Sequence, residues 1–288
     1  MRLAALLLGC SDPALDPGGV PDALADWTAP GDTAEDGPVW TADEAAAALV
    51  EAANIGPGAA WDVRAAYLAR MAMGDRTCPG DPTQLMDTLV PYEGCDAASG
   101  VHYWGVSTFQ DAVDDAPGMP STTFVLTGDF RIRSPGGGMM LAGGVVKLRQ
   151  RARDGGVERR AEVGGTWSAE GEASWMDPGA SAMLEVVALD TSASHGIRVT
   201  GGWSTPTSAA VYYDALRFDS ACGAHPTGVA RVHDPAGGWW TMAFDDACTG
   251  CGTFAYGQVH ADATDAGASR CIDLRGLATV AHTMVEAR

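Results

Sequence analysis

Apolar and polar positions alternate most cleanly between Thr123 and Arg133. Phe124, Leu126, Phe130 and Ile132 fall on one parity; Thr123, Thr127, Asp129, Arg131 and Arg133 fall on the other. A period of two sends successive side chains to opposite faces of a strand, so this segment is predicted to have one core face and one wet face. From Cys78 onward, strand candidates recur between turn signals at Asp96 to Gly100, Ala116 to Pro120, Ser134 to Gly138, Asp154 to Gly156, Glu170 to Ala173, Ser192 to Gly196, Asp234 to Gly238 and Asp262 to Gly267. This rhythm predicts an antiparallel meander. Ten or so strands need protected edges, so the meander is expected to close as a barrel or sandwich. The continuously apolar run Leu184 to Leu189 is expected to be covered on both sides, with the helical pair described next as one cover.

Before the strands the period changes. Thr41, Ala42, Asp43 and Glu44 form a capping box, and the Ala-rich run to Asn54 has high helix propensity. Gly56, Pro57 and Gly58 break it. A second helix is predicted from Ala59 to Met73, with Trp61, Ala65, Leu68 and Ala72 on its apolar face. The fold class is therefore mainly β, with a helical pair at 41–75 ahead of a β domain at 76–288. Thr127 to Gly138 (TGDFRIRSPGGG) and Thr227 to Gly238 (TGVARVHDPAGG) share Thr, Gly, Arg, Pro and two Gly in register. A duplicated hairpin or convergence on one turn type would each produce that match, and it sets no domain boundary.

Charge narrows the function classes. The chain of 288 residues has 37 Asp and Glu against 18 Lys and Arg, a net charge of −19, which repels nucleic-acid phosphates. From Ser11 to Trp40 there is no basic residue, while Asp12, Asp16, Asp22, Asp26, Asp32, Glu35 and Asp36 recur among Pro and Gly. Such a stretch cannot bury enough apolar area to offset ordering and is expected to be a disordered tether over 10–40.

Ahead of it stands MRLAALLLGC, with one Arg, a short apolar run and a small residue before Cys10. These are the parts of a secretory signal peptide at 1–9. LLGC resembles the lipobox of bacterial lipoproteins, and the layout is similar to uncharacterised Cys-containing envelope lipoproteins of high-GC bacteria. The resemblance implies cleavage before Cys10, lipidation of that residue, and a membrane partner reached through the lipid anchor. Ser11 in place of an Asp implies an outer-membrane lipoprotein, facing the periplasm or the cell surface. Acyl chains contribute about 0.8 kcal/mol per buried CH₂, enough for firm anchoring without a transmembrane helix.

Lipidation of Cys10 leaves six cysteines in a compartment that permits disulfides. Cys78 and Cys95 are sequence neighbours and the simplest pair. If the strand before Asp234 pairs with the one after Gly237, Cys222 falls opposite Cys248, and a further hairpin near Ala261 to Asp265 sets Cys251 opposite Cys271. Bridges 222 to 248 and 251 to 271 are therefore expected. Cys248 and Cys251 also form a CxxC. A thioredoxin-like pair needs a helix after its first Cys, whereas GTFAYGQV reads as strand. Zinc held by these two with Cys222, Cys271, His225 or His233 is the other alternative; no metal and no cofactor are assigned.

Two surfaces are candidates for binding. Arg131 and Arg133 on one strand, with Lys147, Arg149, Arg151 and Arg153 on the next, repeat every second residue and share a face, close in sequence to Arg159 and Arg160. They form a candidate anionic-ligand face, although a solvated face paired with carboxylates would read the same way. Trp239, Trp240, Phe254 and Tyr256, near Phe244, are candidates for stacking on sugar rings, or else fill cross-strand pairs. His102, His195, His225, His233, His260 and His282 are scattered, and neither HExxH nor GxSxG occurs. Asp245, Asp246 and His260 could be imagined as a site, but adjacent Asp residues on a strand point to opposite faces. The expectation is a lipid-anchored envelope module that binds glycan, lipid or protein, or acts structurally, without catalysis. The alternatives are an envelope-glycan hydrolase, or a lipid carrier if the β domain encloses an apolar cavity.

Overall fold

In the computed structural model the described residues are 37–56, 58–80, 87–89, 94–115, 119–153, 155–169, 180–192, 194–205, 207–223, 225–257 and 267–286. Cys10, most of the acidic stretch, His260 and the turn signals at 170–173 and 262–266 lie outside them.

The first helix forms where the capping pattern places it. α1 (Ala42–Ala53) starts with Thr41 Oγ1 accepting from the Glu44 amide and the Glu44 carboxylate accepting from the Thr41 amide at 2.8 Å. Its Ala45, Leu49, Ala52 and Ala53 are buried, four small or slender side chains that let the helix lie close to the sheet. α2 (Ala60–Met71) is shorter than expected and rotated: Trp61, Val63, Tyr67 and Met71 are buried, while Ala65 and Ala72 are exposed. The Tyr67 hydroxyl meets Ser107 Oγ at 2.9 Å, and Arg64 grips Asp111 through two bonds of 2.9 and 2.7 Å. These anchors, more than the alanines, decide which side of α2 faces inward.

Among the described residues thirteen strands follow: β1 (Asp87–Leu89), β2 (Cys95–Asp96), β3 (His102–Asp114), β4 (Ser121–Arg133), β5 (Met139–Arg153), β6 (Gly156–Ala169), β7 (Ser181–Thr191), β8 (His195–Thr205), β9 (Ser208–Asp219), β10 (Pro226–His233), β11 (Trp239–Phe244), β12 (Cys251–Gly257) and β13 (Ala268–Cys271). They make one antiparallel sheet in which β3 to β13 pair in sequence order, with β1 and β2 both on the outer side of β3. The protein is thus mainly β and a meander. Among the described residues β13 does not pair back to β1, so the sheet stays open.

One face carries the core. Leu126, Val146, Val163 and Leu184 stand opposite one another across β4 to β7, and Tyr213, Ala230, Met242 and Phe254 continue the row across β9 to β12. All of these are buried. Among the described residues the cover comes from three helices, the third unforeseen: α3 (Arg275–Val285) lies inside what was expected to be pure β domain. Its Leu277, Ala281, Met284 and Val285 repeat at helical spacing and are buried. α3 packs on β6, β7 and β8, α1 on β9 and β10, and α2 on β5 and α3. The inner side of Leu184 to Leu189 is thus covered mainly by α3, with Ile55 and Gly56 from the linker between α1 and α2 beside Leu184 and Val186. Between α3 and the sheet, Leu184, Val186, Trp203, Tyr213, Leu277 and Met284 surround a cavity of only about 10 Å³, the room of about one water.

The two similar segments make the same turn. Ser134 and Asp234 each donate from their amide to the carbonyl of Gly138 or Gly238 at 2.8 Å, and Gly137 and Gly237 take φ of 92° and 98°, which the absence of a Cβ allows. Three bridges join Cys78 to Cys95, Cys222 to Cys248 and Cys251 to Cys271. Cys251 and Cys271 are direct register partners on β12 and β13, as the hairpin spacing predicts.

Asp234 holds the start of the described chain. Fully buried, its carboxylate accepts from the amides of Val39 (3.0 Å), Trp40 (3.0 Å) and Ala236 (2.8 Å) and from Trp240 Nε1 (3.1 Å). Val39 and Trp40, expected to be tether, are therefore pinned to the β10–β11 turn. Burial pushes the Asp234 pKa up, but these four donors outweigh it and hold the group below the usual carboxylate range. In Asp234→Asn an amide NH₂ faces those donors, and the unfolding free energy in urea at pH 7 is expected to fall by about 2 kcal/mol. Because the folded pKa is the lower one, the wild-type advantage is complete above about pH 4 and shrinks as pH falls further. A gap that does not change with pH would refute the role of the charge.

Candidate functional site

The four candidate stacking aromatics are not a platform. Trp240 and Phe254 are diagonal neighbours on the core face of β11 and β12, stacked at 5.2 Å between centroids and both buried. Tyr256 leans on Trp240 at 5.4 Å, and Trp239, 1% exposed, sits edge-on to His233. By parity, all but Trp239 belong to the same inward set as Met242 and Phe244, and Trp240 with Tyr256 forms a cross-strand pair. Hydrophobic burial has claimed rings that a glycan would need exposed.

The basic ladder does lie on the outer face of β4 and β5, but carboxylates across the strands take up much of its charge. Lys147 pairs with Glu162 at 2.9 Å; Arg151 grips Glu158 with bonds of 2.6 and 2.8 Å, and Arg153 shares that carboxylate. Arg131 lies over the Trp104 ring at 5.9 Å. Arg133 and Arg149 are exposed and have no ion-pair partner among the described residues. One strand further in, Glu185 of β7 is 4% exposed and sits between Arg160 and Arg198, the latter at 3.1 Å. The outer cover of the Leu184 to Leu189 run is thus partly ionic: guanidinium groups lie over Glu185, beside the buried Val187.

Pairing strands by register uncovers a row that sequence spacing hides. Arg149, Arg160, Val187, Arg198, Arg217 and Thr227 stand opposite one another in turn across β5 to β10. Four guanidinium groups lie on one line over six strands. Arg198 and Arg217 belong to no ladder in the sequence, because each is the lone Arg of its strand.

A second grouping was also missed. At the rim where β7 turns into β8, Asp190 accepts from Arg159 and bonds His195 Nδ1. The His195 ring meets that of His282, on α3, edge-on at 5.2 Å. Burial acts to raise the Asp190 pKa, but His195 and Arg159 outweigh it and hold the carboxyl below its ordinary value. His195, Ser220, Arg275, Thr279 and His282 line a cleft of about 530 Å³. The signal was present in part: DTSASH places an Asp and a His across a tight turn. The partner His282 came from the overlooked helix.

The remaining candidates separate. Asp245 caps its own turn through Ala247 and Thr249, and His102 bonds Asp96 at 2.8 Å. Cys222, Cys248, Cys251 and Cys271 are consumed in bridges, and among the described residues no three His, Cys, Asp or Glu converge as a metal would require. No protein-family model matches the chain, and no curated protein and no solved structure matches it either.

The outer-face charges differ in what they contribute. Replacing Glu185 by Leu removes the buried carboxylate that Arg160 and Arg198 share, while Arg160 keeps Glu162 at 2.9 Å, and the unfolding free energy is expected to fall by about 2 kcal/mol. Lys147→Ala removes a half-exposed pair and should cost about 0.5 kcal/mol. Equal costs in urea titrations would overturn the buried-charge account.

Proposed function

We propose that the chain is a lipid-anchored module of a bacterial outer membrane that acts by binding or by structure, without catalysis. The observation that carries this reading is the arithmetic of the cysteines. Six of seven pair with one another, and the odd one is Cys10, within LLGC. Disulfides belong to oxidising compartments, so export and the lipobox support each other. In this reading the acidic stretch after Cys10 is the spacer, ending where Asp234 pins Val39 and Trp40. No helix among the described residues is long and apolar enough to cross a membrane. Lipid carriage finds less support, because a drug-sized ligand needs a cavity of roughly 300 Å³ or more, whereas α3 leaves about 10 Å³ under the sheet.

Metabolic labelling with an alkyne palmitate in a bacterial host should mark the chain, and Cys10→Ala should lose the mark. Persistent label in the variant, or none in the wild type, would overturn the reading.

A second reading, a hydrolase acting on envelope glycans, is favoured by one observation: His195, oriented by Asp190, opens on the rim cleft. An imidazole held through Nδ1 keeps Nε2 for proton transfer, which suits removal of acyl groups better than cleavage of glycosidic bonds by paired carboxylates. With 4-nitrophenyl acetate as probe, the wild type is expected to release no more 4-nitrophenol than buffer. Release that disappears in His195→Gln would replace the first reading by the second.

A further inference from the structure

The row of guanidinium groups ends in a groove that the ion-pair lattice does not account for. On the outer face of β7 to β10, Val187, Leu189, Gly196, Arg198, Arg217 and Thr227 border a pocket of about 440 Å³, within the range of small-molecule sites. Its end wall is the short 3₁₀ turn Ser220–Cys222, fixed by the Cys222 to Cys248 bridge. The floor is open at Gly196: a Cβ there would meet nothing closer than the Phe218 carbonyl at 3.9 Å.

The charges of this groove are unevenly paired. Arg198 and Arg217 are direct cross-strand partners, an arrangement in which like charges repel. Arg198 shares the Glu185 carboxylate with Arg160. Arg217 is exposed and has no ion pair or hydrogen bond from its side chain among the described residues. Asp219, on the rim, turns one oxygen to cap the 3₁₀ turn, accepting from the Ala221 amide at 2.7 Å. In a chain with twice as many carboxylates as cations, two facing arginines with no carboxylate dedicated to Arg217 mark a place where an external anion would relieve repulsion. Beside them, Val187 and Leu189 offer an apolar wall. The groove therefore combines a guanidinium head site with an apolar flank.

We propose that this groove binds an amphiphilic anion, a carboxylate or phosphate monoester carrying a short apolar chain, with Arg217 as the main head-group contact and Val187 and Leu189 against the chain. Guanidinium groups suit both heads because their paired N–H groups match two oxygens. The inference stands without the lipid anchor.

The test uses the full oxidised chain carrying Cys10→Ala, so that anchoring and ligand binding succeed or fail separately. Calorimetric titration compares decanoate, decyl phosphate, decan-1-ol and inorganic phosphate. At least one of the two amphiphilic anions should bind about tenfold or more tighter than both decan-1-ol and inorganic phosphate, since neither half of the ligand alone uses both parts of the groove. Arg217→Gln should weaken binding by about tenfold. Gly196→Leu should abolish it by filling the floor. Near-ultraviolet circular dichroism and the melting curve should match the parent in both variants. Equal binding of decan-1-ol, equal binding of inorganic phosphate, no binding of either amphiphile, or variants that are folded and bind as the parent would each overturn the proposal.

Discussion

A long meander creates one continuous apolar face, and everything else in this protein follows from the need to keep that face out of water. Leu126, Val146, Val163 and Leu184 form a single row across four strands, and matching rows lie on either side. Closing the sheet into a barrel would hide such a face inside a ring. Here the sheet remains open among the described residues, and three helices from the two ends of the chain do the covering. At about 25 cal/mol per Å² of apolar surface removed from water, this burial is the main source of stability. It also explains why the interior is a packed core and not a ligand chamber: α3 occupies the space a carrier would keep free.

Helices drawn from opposite ends of the chain need to be held in place. The Asp234 carboxylate ties Val39 and Trp40 to a hairpin almost two hundred residues later, and Arg270 of β13 pairs with Asp43 at the start of α1. The cysteine bridges act at the two ends of the sheet: Cys95 joins β2 to the segment after α2, and Cys271 joins β13 to β12. Each closes a loop that the unfolded chain would otherwise leave free, worth about 3 kcal/mol for loops of this size in the chain-entropy model.

The wet face obeys a different constraint. With an excess of carboxylates, cations are best placed directly across a strand from them; Lys147 and Arg151 follow that rule, and Arg153 reaches the same Glu158 diagonally. Arg149 facing Arg160 and Arg198 facing Arg217 break it, and of these four Arg160 and Arg198 share the Glu185 carboxylate. Local departures from an otherwise consistent pattern are where function tends to reside, because repulsion kept in a fold usually serves something other than the fold.

Much was legible in the order of residues. The strand rhythm, the Thr41 cap and the turns at Ser134 and Asp234 depend on contacts within a few positions. The bridges 222 to 248 and 251 to 271 were legible too, because a hairpin converts sequence distance into register. What could not be read there required knowing which strand lies beside which and what lies above it. The face of α2 was set by Ser107 and Asp111, and the fate of Trp240 and Phe254 by the core they fill. His195 met His282 only because a helix at the far end of the chain returned to cover β7 and β8. The arginine row assembled from strands that each carry one or a few arginines. The sequence by itself determined periodicity, turns and the parity of each strand, since these are properties of the local backbone. The tertiary structure alone decided partners, burial and the balance of charge, since those energies depend on distances between residues far apart in the chain.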